Sequence, residues 1–143
     1  MSNTPILTRP DITTALTKGA SALFLDMGYA VLPEFILASG RRADVAGLNR
    51  QGKILIAEIK SCKADFDIDT KWPAYIEYCD QFYFVVDEVF PTAILPQDFG
   101  LIIADGFSAA ILREPTGCVP LGAARRKAVT LRFGRQAAHR LKQ

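Results

Sequence analysis

The chain is poor in the residues that most metal and nucleophile chemistry relies on. A single histidine, His139, sits near the C-terminus of 143 residues, which disfavours Ser–His triads and histidine-based nuclease sites. Cysteine is scarce and scattered: Cys62, Cys79 and Cys118, an odd number with no Cys-x-x-Cys pair. That argues against a zinc ribbon, a thioredoxin-type pair and a disulfide framework. It fits a reducing, cytoplasmic compartment. No apolar run approaches the roughly 20 residues of a membrane span. Met1 to Asp11 lacks the basic-then-apolar pattern of a signal peptide, so no membrane partner is expected. Acid is missing from one end. Residues 121–143 hold seven basic side chains (Arg125, Arg126, Lys127, Arg132, Arg135, Arg140, Lys142) and no Asp or Glu, whereas residues 1–120 hold 10 basic and 15 acidic ones. An acid-free basic tail points to a polyanion partner, although a solvated helix face would look the same.

What is present is a globular composition, 50% hydrophobic and 22% charged. At this length one core is expected. The whole of 1–143 therefore reads as a single domain, with residues 1–8 a loose arm. Residues 10–27 predict a helix, with Pro10 at its start, Gly28 after it and Ile12, Leu16, Leu23 and Met27 at helical spacing. Residues 29–37, 42–48 and 53–61 read as strands joined by short turns, an antiparallel meander. Pro73 suits a helix start, running to about Asp80. Phe82–Val86 is a buried strand, expected parallel to the Lys53 strand by a right-handed crossover. Residues 90–98 read as a loop, 100–105 as a strand and 109–113 as a short edge strand. Residues 121–141 read as a terminal helix, although Val129, Leu131 and Phe133 also alternate like a strand. The order gives an α/β (α+β) sandwich around a mixed sheet.

Chemistry concentrates on two adjacent strands. If Arg50, Gln51 and Gly52 form a three-residue loop with Gly52 left-handed, Asn49 pairs with Lys53. Asp44 then falls opposite Glu58, and Arg42 opposite Lys60. Cross-strand partners point to one side about 5 Å apart, and Glu58 and Lys60 share a face of their strand. Two carboxylates and an ammonium therefore meet. A structural ion-pair cluster is the bland alternative. Against it, Asp44 and Glu58 are alike in sign, and Glu58-Ile59-Lys60 interrupts an otherwise apolar strand. Like charges this close repel, and a divalent cation relieves them. Mg²⁺ takes one or two carboxylates, keeps waters and accepts phosphate oxygens.

Asp44 and Glu58-Ile59-Lys60 after a hairpin, between a leading helix and a strand–helix–strand crossover, resemble the PD-(D/E)xK nuclease superfamily. That resemblance implies a restriction-endonuclease-like α-β-β-β-α-β core. More narrowly, Leu32-Pro33-Glu34-Phe35, Gly40-Arg41-Arg42-Ala43-Asp44, Lys71-Trp72-Pro73, Tyr78-Cys79-Asp80 and the stretch from Lys127 to Phe133 resemble the MmcB family of bacterial DNA-repair proteins, from about residue 9 to 141. The resemblance implies Asp44 and Glu58 as metal ligands with the Ile59 carbonyl, Lys60 as the catalytic lysine, and Glu34 as an extra acid near the first strand. Ala43 stands where the superfamily name places a proline.

Around that centre, Arg41 and Arg42 suit phosphate or, equally, an ion pair with Glu34 or Glu58. Lys71 and Trp72 suit phosphate contact and base stacking, with Trp72 as a core anchor and Lys71 paired to Asp67 as the competing account. Asp65, Asp67 and Asp69 lack the glycine and closing glutamate of a calcium loop and read as turn residues. Tyr75 and Tyr78 read as packing. Arg125, Arg126, Arg132 and Arg135 on the basic helix are candidates for phosphate contact. The function expected is Mg²⁺- or Mn²⁺-dependent hydrolysis of DNA in repair. The alternative is a catalytically silent DNA-binding or partner-docking module of the same fold. DNA and RNA are not distinguished, and a second copy or a repair protein suits so small a chain.

Overall fold

The computed structural model describes residues 8–62 and 72–142. Helix α1 spans Arg9–Asp26. Strands β1 (Ala30–Ile36), β2 (Arg42–Leu48) and β3 (Ile54–Ile59) follow, then a one-turn helix α2 (Pro73–Ile76) and β4 (Gln81–Val86). A 3₁₀ turn at Thr92–Ile94 leads to β5 (Gly100–Ala104), β6 (Ala109–Arg113) and α3 (Ala123–Arg140). The strands form one six-stranded mixed sheet in the order β1-β2-β3-β4-β5-β6. β1–β2, β2–β3 and β5–β6 are antiparallel, while β3–β4 and β4–β5 are parallel. The expected α/β architecture, meander and parallel crossover pair are all present. Among the described residues no helix is long and apolar enough to cross a membrane.

Local chemistry explains the elements. Thr8 caps α1 through its hydroxyl, and Asp11 returns a bond to the Thr8 N–H, a capping box that satisfies two orphan donors. Gly28, at φ +92°, ends the helix. Leu16, Ala20 and Phe24, four apart, are buried against the sheet. Gly19 lies between them because a Cβ there would stand 2.2 Å from the Asp105 carbonyl oxygen. Asn49 organises the β2–β3 turn: its Oδ1 accepts the N–H groups of Gln51 and Lys53, and Gly52 takes φ +82°. All six residues of β3 are buried, which fits a central strand flanked on both sides.

The sheet separates two apolar layers. On one face Leu16, Ala20 and Phe24 of α1 pack on Val45, Leu55, Ala57, Tyr83, Val85 and Ile102. On the other, Val129 and Phe133 of α3 pack on Phe35, Ala46, Ile54, Ile56, Phe82 and Phe84. The strand-like alternation in α3 loses to a helical one: Val129 and Phe133, four apart, are buried while Leu131 points outward.

Polar staples complete the docking of α3. Gln136 donates to the Ile36 carbonyl at 2.6 Å and accepts the Ile36 N–H at 3.0 Å. Arg140 donates to the carbonyls of Pro33 and Glu34. These side chains occupy backbone groups that edge strand β1 would otherwise offer to another chain. At the other end, Arg126 forms a two-pronged bond to Asp80, both contacts at 2.7 Å, and also reaches the Gly52 carbonyl.

The helix expected to run from residue 73 to about 80 is shorter. It stops after Ile76, and the Tyr78 N–H turns back to the Tyr75 carbonyl. Asp80 is the physical reason: its carboxylate is held by the N–H groups of Ile54 and Leu121 as well as by Arg126, which fixes the chain for entry into β4.

Candidate active site

The β2–β3 register is the expected one, with Val45 opposite Ala57 and Leu48 opposite Ile54. One step beyond Val45–Ala57, the backbone pairing gives way to side chains. Glu58 Oε1 accepts the Asp44 N–H at 3.0 Å. Asp44 Oδ2 accepts the Ile59 N–H at 2.8 Å. Each carboxylate thus occupies the backbone donor on or beside the other's position, and the pair wedges the two strands apart. Charge-assisted bonds of this kind let acids replace ladder carbonyls in a sheet interior.

Edge strand β1 breaks at the same level. Glu34 lies across from Asp44 in the β1–β2 register but is skipped by the pairing, and it adopts φ +51°, where a non-glycine residue is strained. Val45 packs with the α1 layer, while Ala43, two residues back, packs with the α3 layer. In a regular strand residues two apart share a face. The ribbon therefore switches faces at Glu34 and Asp44.

Alternation along β3 carries Glu58 to the α3 side, since Ile54 and Ile56 pack there and Leu55, Ala57 and Ile59 pack on the α1 side. Glu58 is 4% exposed, Lys60 2% exposed and Asp44 half-buried, so solvent reaches the pair by way of Asp44. Burial, and then the Asp44 charge, push the Glu58 carboxyl up to about 9; the bond from the Asp44 N–H and the Lys60 charge pull the other way without prevailing. Near neutrality the Asp44–Glu58 pair is therefore biased toward keeping one proton, Glu58 being the side raised.

Ile59 donates its N–H toward β2, while the next N–H, that of Lys60, goes to the Val85 carbonyl on β4. A strand residue's N–H and carbonyl lie on one edge, so the Ile59 carbonyl also faces β2 and the acid pair. Tyr75 donates its hydroxyl to the Arg42 carbonyl at 3.1 Å, bracing β2 just before Asp44.

The other anticipated residues divide. Arg42, exposed, opens β2 two residues before Asp44, and Arg41, half-buried, stands just ahead of the strand. Glu34 is exposed and is not gathered with the pair: among the described residues no group of three or more His, Cys, Asp or Glu side chains converges as a metal site. Trp72 is a packing residue, its ring 5.2 Å from that of Phe99 and 5.4 Å from that of Phe84. Arg126 is committed to Asp80, which removes it from the phosphate contacts. Arg125, Arg132 and Arg135 are exposed along α3. Lys71 and the three aspartates Asp65, Asp67 and Asp69 lie outside the described residues. Asp80 was not anticipated in any role. Burial opposes its charge, but Arg126 and the two backbone N–H groups outweigh that and hold its carboxyl below the ordinary range.

Comparison with known proteins bears on this geometry. The chain matches the MmcB-like family, described as DNA repair protein MmcB-like, over residues 4–143. The chain belongs to that family. Among solved structures it is similar to the SPO1766 protein of unknown function from Silicibacter pomeroyi, with 38% identity and a TM-score of 0.86 over 96% of this chain and 92% of that one. No curated protein matches it. The fold and the acid pair are thus those of a member of a DNA-repair family.

The donor set fits a small, hard dication. Two carboxylates and a strand carbonyl are all-oxygen ligands, and Mg²⁺ needs only one or two carboxylates when waters and phosphate fill the rest. The upward shift of the Glu58 carboxyl comes first from burial and then from the crowding of the two acids.

Proposed function

We propose that the chain is a metal-dependent nuclease that hydrolyses phosphodiesters in DNA undergoing repair. The observation that carries this reading is the Asp44–Glu58 pair, two acids crossed between β2 and β3. A purely structural sheet gains nothing from such a pair that two ladder carbonyls would not supply more cheaply. Asp44, Glu58 and the Ile59 carbonyl would hold Mg²⁺ or Mn²⁺. When bound, the ion would acidify a water and stabilise charge on the scissile phosphate. Lys60 follows Glu58 by two residues and its charge already acts on that carboxyl, so its ammonium can orient a water or offset charge on the leaving oxygen. Arg41 and Arg42 stand at the start of the same strand as Asp44 to take flanking phosphates. Family membership supplies the DNA-repair context.

A second reading rests on one fact, the near-complete burial of Glu58 and Lys60. On that reading the protein keeps the acid pair but binds DNA without cutting it. The experiment that separates the two uses single-stranded, nicked, flapped and branched DNA with Mg²⁺ or Mn²⁺. Cleavage by the wild type, lost in Asp44→Asn, Glu58→Gln and Lys60→Met, is the expected result. Metal-stimulated DNA binding with no product from any substrate would establish the silent module instead.

A further inference from the structure

Between β1 and α3, on the α3 side of the sheet, lies a cavity of about 220 Å³. Its walls are apolar: Phe35 and Leu37 from β1 and its end, and Val129 from α3. One of its walls, Phe35, pairs with Ala43, the residue before Asp44. Two arginines stand at the cavity, Arg125 and Arg132, both exposed. Arg125 is held in place: its guanidinium carbon lies 4.7 Å over the centre of the Tyr78 ring. A guanidinium stacked on a buried aromatic is a rigid, planar, cationic shelf.

We propose that this cavity receives a single unpaired nucleobase of a DNA strand whose phosphates run along α3. The volume is below the roughly 300–1,000 Å³ of pockets for drug-sized ligands, which suits one heteroaromatic ring. Unstacked bases lie on arginine planes as readily as on aromatic rings. Here the Tyr78–Arg125 stack presents such a plane, and the Phe35, Leu37 and Val129 side chains shield the far side of the base from water. Arg132 takes the adjoining phosphate. A second groove of about 390 Å³ shares Ala128 and Arg132 with the first and continues past Arg135 to His139. Residues 125, 128, 132, 135 and 139 fall on one helical stripe, so the cations track one backbone. A base in a duplex cannot enter a pocket of this kind without unpairing. The cavity therefore assigns single-stranded or locally opened DNA as the substrate class. Among the described residues the polar lining of the cavity is Arg125, Arg132 and Tyr78, so sequence preference is expected to be weak.

This inference rests on the DNA reading above but not on catalysis, and its test is run in EDTA. Fluorescence anisotropy would compare a short labelled single strand with an abasic strand of equal length, a duplex and a single-stranded RNA of the same sequence. Wild type is expected to bind the base-bearing DNA strand roughly tenfold more tightly than the abasic one, the order of what stacking one base contributes. Ala128→Trp, a change at an exposed helix position, fills the cavity and should erase that preference. Arg125→Lys keeps the charge but removes the plane, and it should lose the preference with the salt dependence intact. Equal wild-type affinity for base-bearing and abasic strands overturns the proposal, as does a preference that survives in both variants. A base-dependent preference for RNA over DNA, or tighter binding of the duplex, overturns the assignment to single-stranded DNA. A protein that passes this test yet cuts nothing refutes only the nuclease reading.

Discussion

Replacing Glu58 by glutamine should make the protein more stable and its candidate site inert. The side chain is buried, crossed with Asp44, and retains its proton until the pH approaches 9. Below about pH 4.5 both folded and unfolded chains carry that proton, and glutamate behaves like glutamine. As the pH rises further the unfolded chain releases the proton and the folded chain keeps it. Folding must then take up a proton, so the wild type loses stability from about pH 4.5 to about 9 and levels off above. The ceiling on the loss at pH 8 is about 5 kcal/mol, at about 1.4 kcal/mol per pH unit. Water entering past half-buried Asp44 screens part of it, and the proton belongs to the pair jointly, which leaves about 2–3 kcal/mol.

Glutamine removes this penalty at little structural cost. Its oxygen can accept the Asp44 N–H as Glu58 Oε1 does at 3.0 Å, and its amide can donate where the carboxylic proton did. The expected gain in melting temperature at pH 8 is roughly 5–10 °C for a domain of this size. At pH 5 the gain should nearly vanish. Glu58→Ala, by contrast, leaves the Asp44 N–H without its acceptor and should cost about 1–3 kcal/mol. Chemical denaturation of the three proteins across pH 5–9 decides the matter. A glutamine variant that gains equally at both ends, or that loses stability at pH 8, would refute the assignment of a retained proton. Mg²⁺ added at pH 8 should raise the melting temperature of the wild type and leave that of Glu58→Gln unmoved.

Asp80→Ala should cost about 3–5 kcal/mol by urea denaturation, since it strands a partly buried guanidinium and the N–H groups of Ile54 and Leu121. Because the Asp80 carboxyl sits below its ordinary range, the stability it confers is present above about pH 4 and lost as the pH falls further. The acid-unfolding transition of Asp80→Ala should therefore start from a lower plateau and be shallower. Gly19→Ala gains about 1 kcal/mol of helix propensity, yet its Cβ would stand 2.2 Å from one carbonyl oxygen and 2.7 Å from another, both backbone. Overpacking should win, for a net loss of about 1–2 kcal/mol in the same assay. The affinity for single-stranded DNA should fall with salt at a log–log slope of about −1.4, the value for two phosphate contacts at Arg132 and Arg135, and not about −5, the value for all seven basic residues of the tail.

The central hairpin was legible because its determinants are local. Asn49 and Gly52 set the turn, the turn sets the register, and the register brings Asp44 to Glu58. The element order was legible for the same reason, from helix caps, turn residues and apolar periodicity. What escaped depends on contacts far apart in sequence. Nothing near Asp80 points to Arg126, 46 residues on, and so nothing signals that the short helix must end early. The Gln136 and Arg140 clamps on β1 span about a hundred residues. The left-handed Glu34 follows from the face switch in β1 and β2, a property of two strands together.

These distant contacts also change what the charge pattern means. Counted along the chain, the tail is a uniform cationic segment. In the fold its charges divide by helical phase. Arg126 and Arg140 turn toward the body and hold α3 down by acceptors on Asp80, Gly52, Pro33 and Glu34. Only two α3 side chains, Val129 and Phe133, are buried, so apolar packing alone would dock the helix weakly. Two half-buried cations tied to the body thus give the remaining arginines a fixed platform. The face they line borders the cavity between β1 and α3. On the nuclease reading proposed above, a flexible basic tail would attract DNA equally well but would present the strand to the acid pair at no particular angle, whereas a docked helix would set the backbone's path and with it the phosphate that meets the site.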